Sequence, residues 1–150
     1  MTKNVITVFP ETKVTEVAAL MARYNFSGMP VARDGKLAGI ITEYDLMSHE
    51  SDFHIPTYIK FLKNFLAEGA SKDPFESESM KKILNLTAVD IMTKNVTTAA
   101  PDMEIHDLLV MLVDKKVNSV PVVDSSGAIL GIVSRSDIMK LLGDNRQIVA

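Results

Sequence analysis

The sequence predicts an α+β fold made of two βαββα repeats that pack about a pseudo-two-fold axis, with a helical insert between them. The pentapeptide MTKNV at Met1–Val5 returns at Met92–Val96. The likeness continues without a gap from Lys3–Val31 onto Lys94–Val122, and beyond the next turn LAGIITEYDLM aligns with ILGIVSRSDIM. Because one such repeat cannot bury its apolar faces alone, we expect the two copies to pack together.

Each copy begins with an extended segment that ends at a proline and is followed by an amphipathic helix. The extended segments are Val5–Val8 and Val96–Ala99. Apolar residues then recur at the spacing of one helical face. They are Val14, Val17, Ala18 and Met21 in the first copy and Ile105, Leu108, Leu109 and Leu112 in the second. Thr12 and Asp102 are suitable residue types for the N-caps of these helices.

Two short strands and a second helix complete each copy. The strands are Pro30–Ala32 and Leu37–Ile41 in the first copy and Val120–Val123 and Ile129–Val133 in the second. A turn rich in Gly, Asp and Ser separates each pair of strands, as expected for a hairpin. The second helix is expected to begin near Asp45 or Asp137, and Gly143 is a suitable stop for the last one.

The boundaries that follow are residues 1–50 for the first repeat, 51–85 for the insert, 86–143 for the second repeat and 144–150 for a tail. The segment TAVDIM at Thr87–Met92 supplies a short leading helix to the second repeat. The first repeat starts at Met1, in the middle of the same pattern, so we expect either that the chain is truncated or that another element takes the place of this helix. In the insert, IPTYIKFLKNFL has one apolar helical face. That face either covers apolar surface of the repeats or docks a partner or acts as a lid.

Composition and charge exclude several classes of protein. The chain has 150 residues, no Cys and a net charge of −3, with 47% hydrophobic and 23% charged residues. The absence of Cys excludes disulfides and thiolate zinc sites. The acidic balance argues against a nucleic-acid or anionic-membrane surface. No apolar run reaches the roughly 20 residues of a membrane span. We therefore expect a cytoplasmic protein with no nucleic-acid or membrane partner.

The sequence offers little catalytic chemistry. His49, His54 and His106 lie outside metal-ligand spacing, so no metal site is predicted. Neither a G-x-G-x-x-G motif nor a P-loop is present. We therefore do not expect an enzyme.

The most informative motif is S/T-x-x-D, which occurs at Thr42–Asp45 and at Ser134–Asp137, each between a strand and a helix. One interpretation is a capping box, in which the hydroxyl and the carboxylate satisfy backbone amides of the helix start. The other is a ligand site, because a helix N-terminus attracts phosphate and a carboxylate accepts hydrogen bonds from ribose hydroxyls. The residues alone leave both open.

These features resemble the CBS domain, the family named after cystathionine β-synthase. The likeness lies in DIMTKNV, in the single proline of SGMPVAR and NSVPVVD, and in GIITEYD and GIVSRSD, and it covers about 1–48 and 86–142. A pair of such units is similar to a Bateman module. The resemblance implies that each S/T-x-x-D motif holds the phosphate and ribose of an adenine nucleotide, with adenine in the cleft between the repeats.

Carried over by position, the resemblance implies two sets of nucleotide-binding residues, one in each copy. The first set is Ile6, Thr7, Phe26, Ser27, Gly28, Met29, Pro30, Thr42 and Asp45. The second set is Thr97, Thr98, Val117, Asn118, Ser119, Val120, Pro121, Ser134, Arg135 and Asp137. Arg135 suits a phosphate, whereas Glu43 at the equivalent position repels one. The second site is thus expected to prefer AMP, ADP or ATP, and the first to be empty or to take S-adenosylmethionine.

The expected function is a non-catalytic sensor that binds an adenine nucleotide or S-adenosylmethionine between its repeats and transmits the ligand state to a partner protein. The resemblance also implies a homodimer. The alternative is a ligand-free interaction or dimerisation scaffold, in which the S/T-x-x-D motifs are only helix caps.

Overall fold

The computed structural model describes residues 1–48 and 84–144, and it mixes helices and strands as the sequence predicts. Most of the predicted insert and the tail beyond Asp144 lie outside the described residues. The helices and strands are α1 Val14–Tyr24, β1 Gly28–Arg33, β2 Lys36–Thr42, α2 Glu43–Ser48, α3 Ala88–Ile91, α4 Ile105–Asp114, β3 Ser119–Val123, β4 Ile129–Ser134 and α5 Arg135–Asp144. None of these described helices is long and apolar enough to cross a membrane.

Each copy forms an antiparallel hairpin, β1 with β2 and β3 with β4. The extended segment of each copy adds a parallel bridge to the first strand, Val8 to Val31 and Ala99 to Val122. In these bridges the strand prolines act only as hydrogen-bond acceptors. Pro30 O accepts a hydrogen bond from Val8 N at 3.1 Å, and Pro121 O accepts one from Ala99 N at 3.0 Å. A proline fits here because no donor is required of it.

The repeated Met-Thr segments explain why the chain contains MTKNV twice. Thr2, at the start of the first copy, forms a bridge with Ile132 in β4 of the second copy. Thr93, at the start of the second copy, forms the equivalent bridge with Ile40 in β2 of the first. Each copy therefore places its first residues on the hairpin of the other, which joins the repeats symmetrically.

Glycine permits this close approach at both crossings. A Cβ at Gly39 would lie 2.5 Å from Met92 Sδ and 3.1 Å from the Thr93 carbonyl oxygen. A Cβ at Gly131 would lie 2.7 Å from Met1 Sδ and 3.0 Å from the Thr2 carbonyl oxygen. Real side chains do not tolerate such distances without movement of a neighbour, so each hairpin presents a glycine where the crossing segment passes.

The two hairpin turns also pair with each other. Leu37 N donates to Gly127 O at 3.0 Å, and Ile129 N donates to Gly35 O at 3.2 Å. The two hydrogen bonds join equivalent positions in opposite directions. This reciprocity is what the predicted pseudo-two-fold arrangement requires.

The short helix α3 belongs to the core of the first repeat, although it precedes the second repeat in the chain. Ala88 and Ile91 are buried in one cluster with Val14 and Val17. Val14 N also donates to Leu86 O at 2.9 Å. The leading segment of the second copy therefore covers α1 of the first.

The two copies differ in the burial of equivalent helix positions. Val14 is 4% exposed, whereas Ile105 is 50% exposed. The apolar face that the sequence predicts for α4 is thus only partly buried. Periodicity places Ile105 beside Leu108 and Leu112, which are buried, but burial at the first position of this helix depends on a covering segment such as Leu86–Ile91.

The predicted N-caps are also wrong by one or two positions. The N-cap residues are Lys13 and Glu104, and neither makes a side-chain capping bond. Thr12 instead accepts a hydrogen bond from Phe9 N at 3.0 Å in the preceding turn. Gly143 lies within α5 and does not follow it. Local side-chain hydrogen bonds, such as the one that Thr12 accepts, shift the first and last residues of a helix but do not change its apolar period.

Candidate functional site

Both S/T-x-x-D motifs form complete capping boxes. In the first, Thr42 N and Thr42 Oγ1 donate to Asp45 Oδ2 at 2.8 and 2.6 Å, and Asp45 N donates back to Thr42 Oγ1 at 3.3 Å. In the second, Ser134 N and Ser134 Oγ contact Asp137 Oδ2 at 2.8 and 2.9 Å, with the same return bond at 3.3 Å. The capping interpretation is confirmed for both motifs.

A capping role leaves Asp45 with a second carboxylate oxygen. Asp45 Oδ1 accepts a hydrogen bond from Thr93 Oγ1 at 3.2 Å. Thr93 belongs to the crossing segment of the second copy. The carboxylate of the first motif therefore contacts both repeats.

A cleft of about 400 Å³ lies at this junction. The first repeat contributes Ser27 and residues of β2 and α2. The second contributes residues of the segment MTKNVT and residues 116–119, which lead into β3. The lining residues are Ser27, Ile40, Thr42, Glu43, Tyr44, Asp45, Thr93, Asn95, Val96, Thr97, Lys116, Val117, Asn118 and Ser119. The volume lies within the usual range of small-molecule sites, about 300–1,000 Å³.

The resemblance implied one set of site residues in each copy, but the cleft contains residues of both sets. It combines Ser27, Thr42 and Asp45 of the first set with residues of the second set. These are Thr97, Val117, Asn118 and Ser119. The crossing of the Met-Thr segments causes this exchange, because it carries the second copy's first residues to the hairpin of the first copy.

The other expected site residues do not line this cleft. The side chains of Met29, Pro30, Val120 and Pro121 are fully buried. The rest are Ile6, Thr7, Phe26, Gly28, Thr98, Ser134, Arg135 and Asp137, for which a ligand role stays a prediction.

Sequence reasoning did not assign Thr93 or Asn95 to the site, and it named Lys116 only among several lysines that could add positive charge from loop edges. Thr93 and Asn95 belong to the repeated MTKN segment, which indicated the duplication and, within DIMTKNV, the resemblance to the CBS domain, but was assigned no ligand role. Lys116 lies after α4 with a left-handed φ of 53°. The equivalent residue Asn25 follows α1 with a φ of 54°, so the two turns share one backbone shape. The repetition of MTKN was the available signal.

The side chain of Arg135 is engaged with backbone in this structure. Its Nε donates to Val117 O at 3.0 Å, and its Nη2 donates to Leu112 O at 3.3 Å. The guanidinium thus binds carbonyls at and beyond the end of α4, where a positive charge is favourable. Whether it also contacts a phosphate stays a prediction.

The second motif has a perturbed carboxyl. Partial burial is the largest single influence on the pKa of Asp137 and acts to raise it, but several smaller influences together bring that pKa below the ordinary value of 3.8. These are the hydrogen bonds from the backbone and side chain of Ser134 and the positive charges of the amino terminus and Lys140. The carboxylate is therefore ionised at neutral pH.

The two S/T-x-x-D motifs differ in the charged residues at equivalent positions around them. Next to Thr42 the chain has Glu43, and Lys116 lies in the same cleft. At the equivalent positions of the other motif it has Arg135 and Asn25. Within residues 1–48 and 84–144, no group of three or more His or acidic side chains suits a metal ion.

Known proteins share both the sequence pattern and the fold. Residues 1–52 and 88–144 match the family description of the CBS domain. Protein MJ1426 of Methanocaldococcus jannaschii is 33% identical over 147 residues, which cover 93% of this chain and 87% of that protein. The inosine-5'-monophosphate dehydrogenase of Thermoplasma acidophilum is 28% identical, but the matched part is only 21% of its length.

Solved structures agree with this likeness. The CBS domain pair of protein MJ0100, crystallised with 5'-methylthioadenosine and S-adenosyl-L-methionine, has a TM-score of 0.66 and 26% identity, covering 97% of this chain and 93% of that one. CBSX2 of Arabidopsis thaliana has a TM-score of 0.74 at 21% identity, covering 98% and 93%, which shows a common fold. With two repeats matched in sequence and in structure, the chain belongs to the CBS domain family as a CBS domain pair.

Proposed function

We propose that the chain is a non-catalytic regulatory module that binds an adenosine-containing ligand in the cleft between its repeats. The observation that carries this proposal is the composition of the cleft, in which Thr42 and Asp45 of one repeat lie with Thr97, Asn118 and Ser119 of the other. The co-crystallised nucleosides of MJ0100, a pair with 26% identity, support the same ligand class.

The cleft has the groups that an adenosine requires. Asp45 supplies a carboxylate for ribose hydroxyls, since its Oδ1 has capacity for a second hydrogen bond beside that of Thr93. Ile40, Val96 and Val117 supply apolar contact for a base. These two features are those that place a nucleoside in a concave site.

The charges of the described cleft favour S-adenosylmethionine over AMP, ADP or ATP. Glu43 and Asp45 contribute two carboxylates and Lys116 one ammonium group. A sulfonium and an ammonium suit this balance, whereas a nucleotide phosphate meets like charge. The second motif, Ser134–Asp137, has Arg135 in place of Glu43, and there we propose the preference for AMP, ADP or ATP.

Binding at this junction supplies a route to regulation. A ligand that contacts both repeats favours the relative orientation that it binds best, by no more than its difference in affinity for the two orientations. A regulated protein, or a second copy in a homodimer, reads that orientation.

A second function has an observation in its favour. Asp45 and Asp137 already satisfy complete capping boxes, so neither carboxylate needs a ligand to explain its presence. In that case the chain is a protein-interaction scaffold, and the cleft is incidental.

Thermal melts and calorimetric titrations with adenosine, S-adenosylmethionine, AMP and ATP distinguish the two functions. A ligand present at about 100 times its Kd stabilises a one-site protein by about 2.7 kcal/mol. We expect stabilisation by S-adenosylmethionine and by AMP, with Asp45→Ala weakening the former and Asp137→Ala the latter. A folded sample that responds to no adenosine compound favours the scaffold.

A further inference from the structure

We propose that Thr93 is a positioning residue of the ligand cleft, which the second repeat supplies to the Asp45 carboxylate of the first. The inference rests on the proposed function and deepens it. It makes the affinity of this cleft depend on the contact between the repeats.

The backbone of Thr93 is held on the first repeat. Thr93 N donates to Ile40 O at 2.9 Å, and Ile40 N donates to Thr93 O at 3.0 Å. Gly39 leaves the space that Met92 and Thr93 occupy, because a Cβ there would overlap both. The crossing segment is therefore in a defined register two residues before Thr42 in β2.

From this position the Thr93 hydroxyl reaches the oxygen that the capping box does not use. Asp45 Oδ2 already accepts from Thr42 N and Thr42 Oγ1. Asp45 Oδ1 accepts from Thr93 Oγ1 at 3.2 Å. With both oxygens bonded, the carboxylate is held in one orientation before a ligand arrives, and such pre-organisation lowers the cost of binding.

The same hydrogen bond links ligand binding to the contact between repeats. A ribose hydroxyl that donates to Asp45 Oδ1 shares an acceptor with Thr93. Any shift of the crossing segment on β2 moves the Thr93 hydroxyl away from Asp45 Oδ1 and leaves the carboxylate held only through Oδ2. The ligand therefore binds best to the arrangement in which the Ile40–Thr93 bridge is closed.

The other copy provides an internal control. Thr2 makes the same two backbone bonds, with Ile132 O and Ile132 N both at 3.0 Å. Within the described residues, however, the Thr2 hydroxyl makes no hydrogen bond to Asp137. Among the described residues, the hydroxyl of the repeated MTKN segment thus contacts the carboxylate of the first motif and not that of the second.

The experiment is calorimetric titration of the full chain with S-adenosylmethionine. Thr93→Val keeps the shape of the side chain and removes the hydroxyl, and we expect its Kd to rise about fivefold, the usual effect of one hydrogen bond. Thr93→Ser should restore most of the affinity because it keeps the hydroxyl. Thr2→Val should leave this Kd unchanged.

A double-mutant cycle separates positioning from a general structural effect. If Thr93 acts through Asp45, Thr93→Val should have little further effect in the Asp45→Ala background. If Thr93→Val lowers the melting temperature, Thr93→Ala replaces it in the cycle. That variant removes the hydroxyl and puts no methyl group in its place.

The outcomes distinguish the inference from the function on which it rests. Wild-type protein that binds S-adenosylmethionine with the same Kd as Thr93→Val overturns the role of Thr93 and leaves the proposed function intact. Equal losses from Thr93→Val and Thr2→Val also overturn it. Wild-type protein that binds no adenosine compound overturns both.

Discussion

Three capping boxes of one chemistry allow the cap and the ligand site to be tested separately. Thr87 N and Thr87 Oγ1 donate to Asp90 Oδ2 at 2.8 and 2.7 Å, nearly as Thr42 does to Asp45. Asp45 lines the cleft, whereas Asp90 does not. Asp90→Ala is therefore a matched control for Asp45→Ala.

The magnitudes follow from the bonds that each substitution removes. Each variant loses a cap, which costs about 1 kcal/mol of unfolding free energy. Asp45→Ala also removes a charged acceptor for the ligand, worth about 1.5–3 kcal/mol, which corresponds to a loss of affinity of about tenfold or more. Asp90→Ala should leave affinity near that of the wild type.

Urea unfolding gives the stability of each variant, and calorimetric titration with S-adenosylmethionine gives its affinity. The expected pattern is a loss of stability in both variants, somewhat larger for Asp45→Ala because it also removes the hydrogen bond from Thr93, and a loss of affinity for Asp45→Ala alone. If both variants lose affinity in proportion to stability, the Asp45 carboxylate is only a helix cap, and the reasoning from the cleft is refuted.

Three further predictions concern the fold. Val14→Ala removes about two methylene equivalents from a buried position and should lower the free energy of unfolding by about 2 kcal/mol. Ile105→Ala, at the half-exposed equivalent position, should lower it by about 1 kcal/mol or less. A larger loss for Ile105→Ala than for Val14→Ala in urea unfolding would contradict the covering role of the leading segment. Gly39→Ala should cost about 1–3 kcal/mol because its methyl group overlaps Met92, and an unchanged midpoint would show that the crossing is looser than described. Since the folded pKa of Asp137 is lowered, its contribution to stability is present above its ordinary pKa and is lost as the pH falls through the folded value. The stability difference between wild type and Asp137→Asn should therefore shrink from about pH 7 to about pH 3, and a constant difference would argue against the shift.

The elements themselves were predictable because local patterns specify them. Val17 and Leu112 are buried where the helical period places them. Each hairpin is formed by two apolar runs of the sequence that are separated by a turn. The capping boxes were also predictable, since Thr42 and Asp45 are three residues apart and interact within one turn.

The exposure of Ile105 and the composition of the cleft were not predictable in this way. The apolar period of α4 is as clear as that of α1, but the period states which face is apolar and not whether another segment covers it. Likewise, assigning site residues copy by copy assumed that each repeat builds its own site. The contact between Thr93 and Asp45 joins residues that are distant in the chain.

The duplication, the α+β class and the two S/T-x-x-D caps can be derived from the amino-acid sequence, because each depends on residue type and on short-range spacing. The crossing of the Met-Thr segments between repeats, and a described cleft that combines residues of both, depend on how the repeats pack. The physical reason is that two equivalent hairpins offer equally suitable backbone partners. Each hairpin leaves the same space at its glycine, Gly39 or Gly131, so the choice between them depends on the packing of the whole pair.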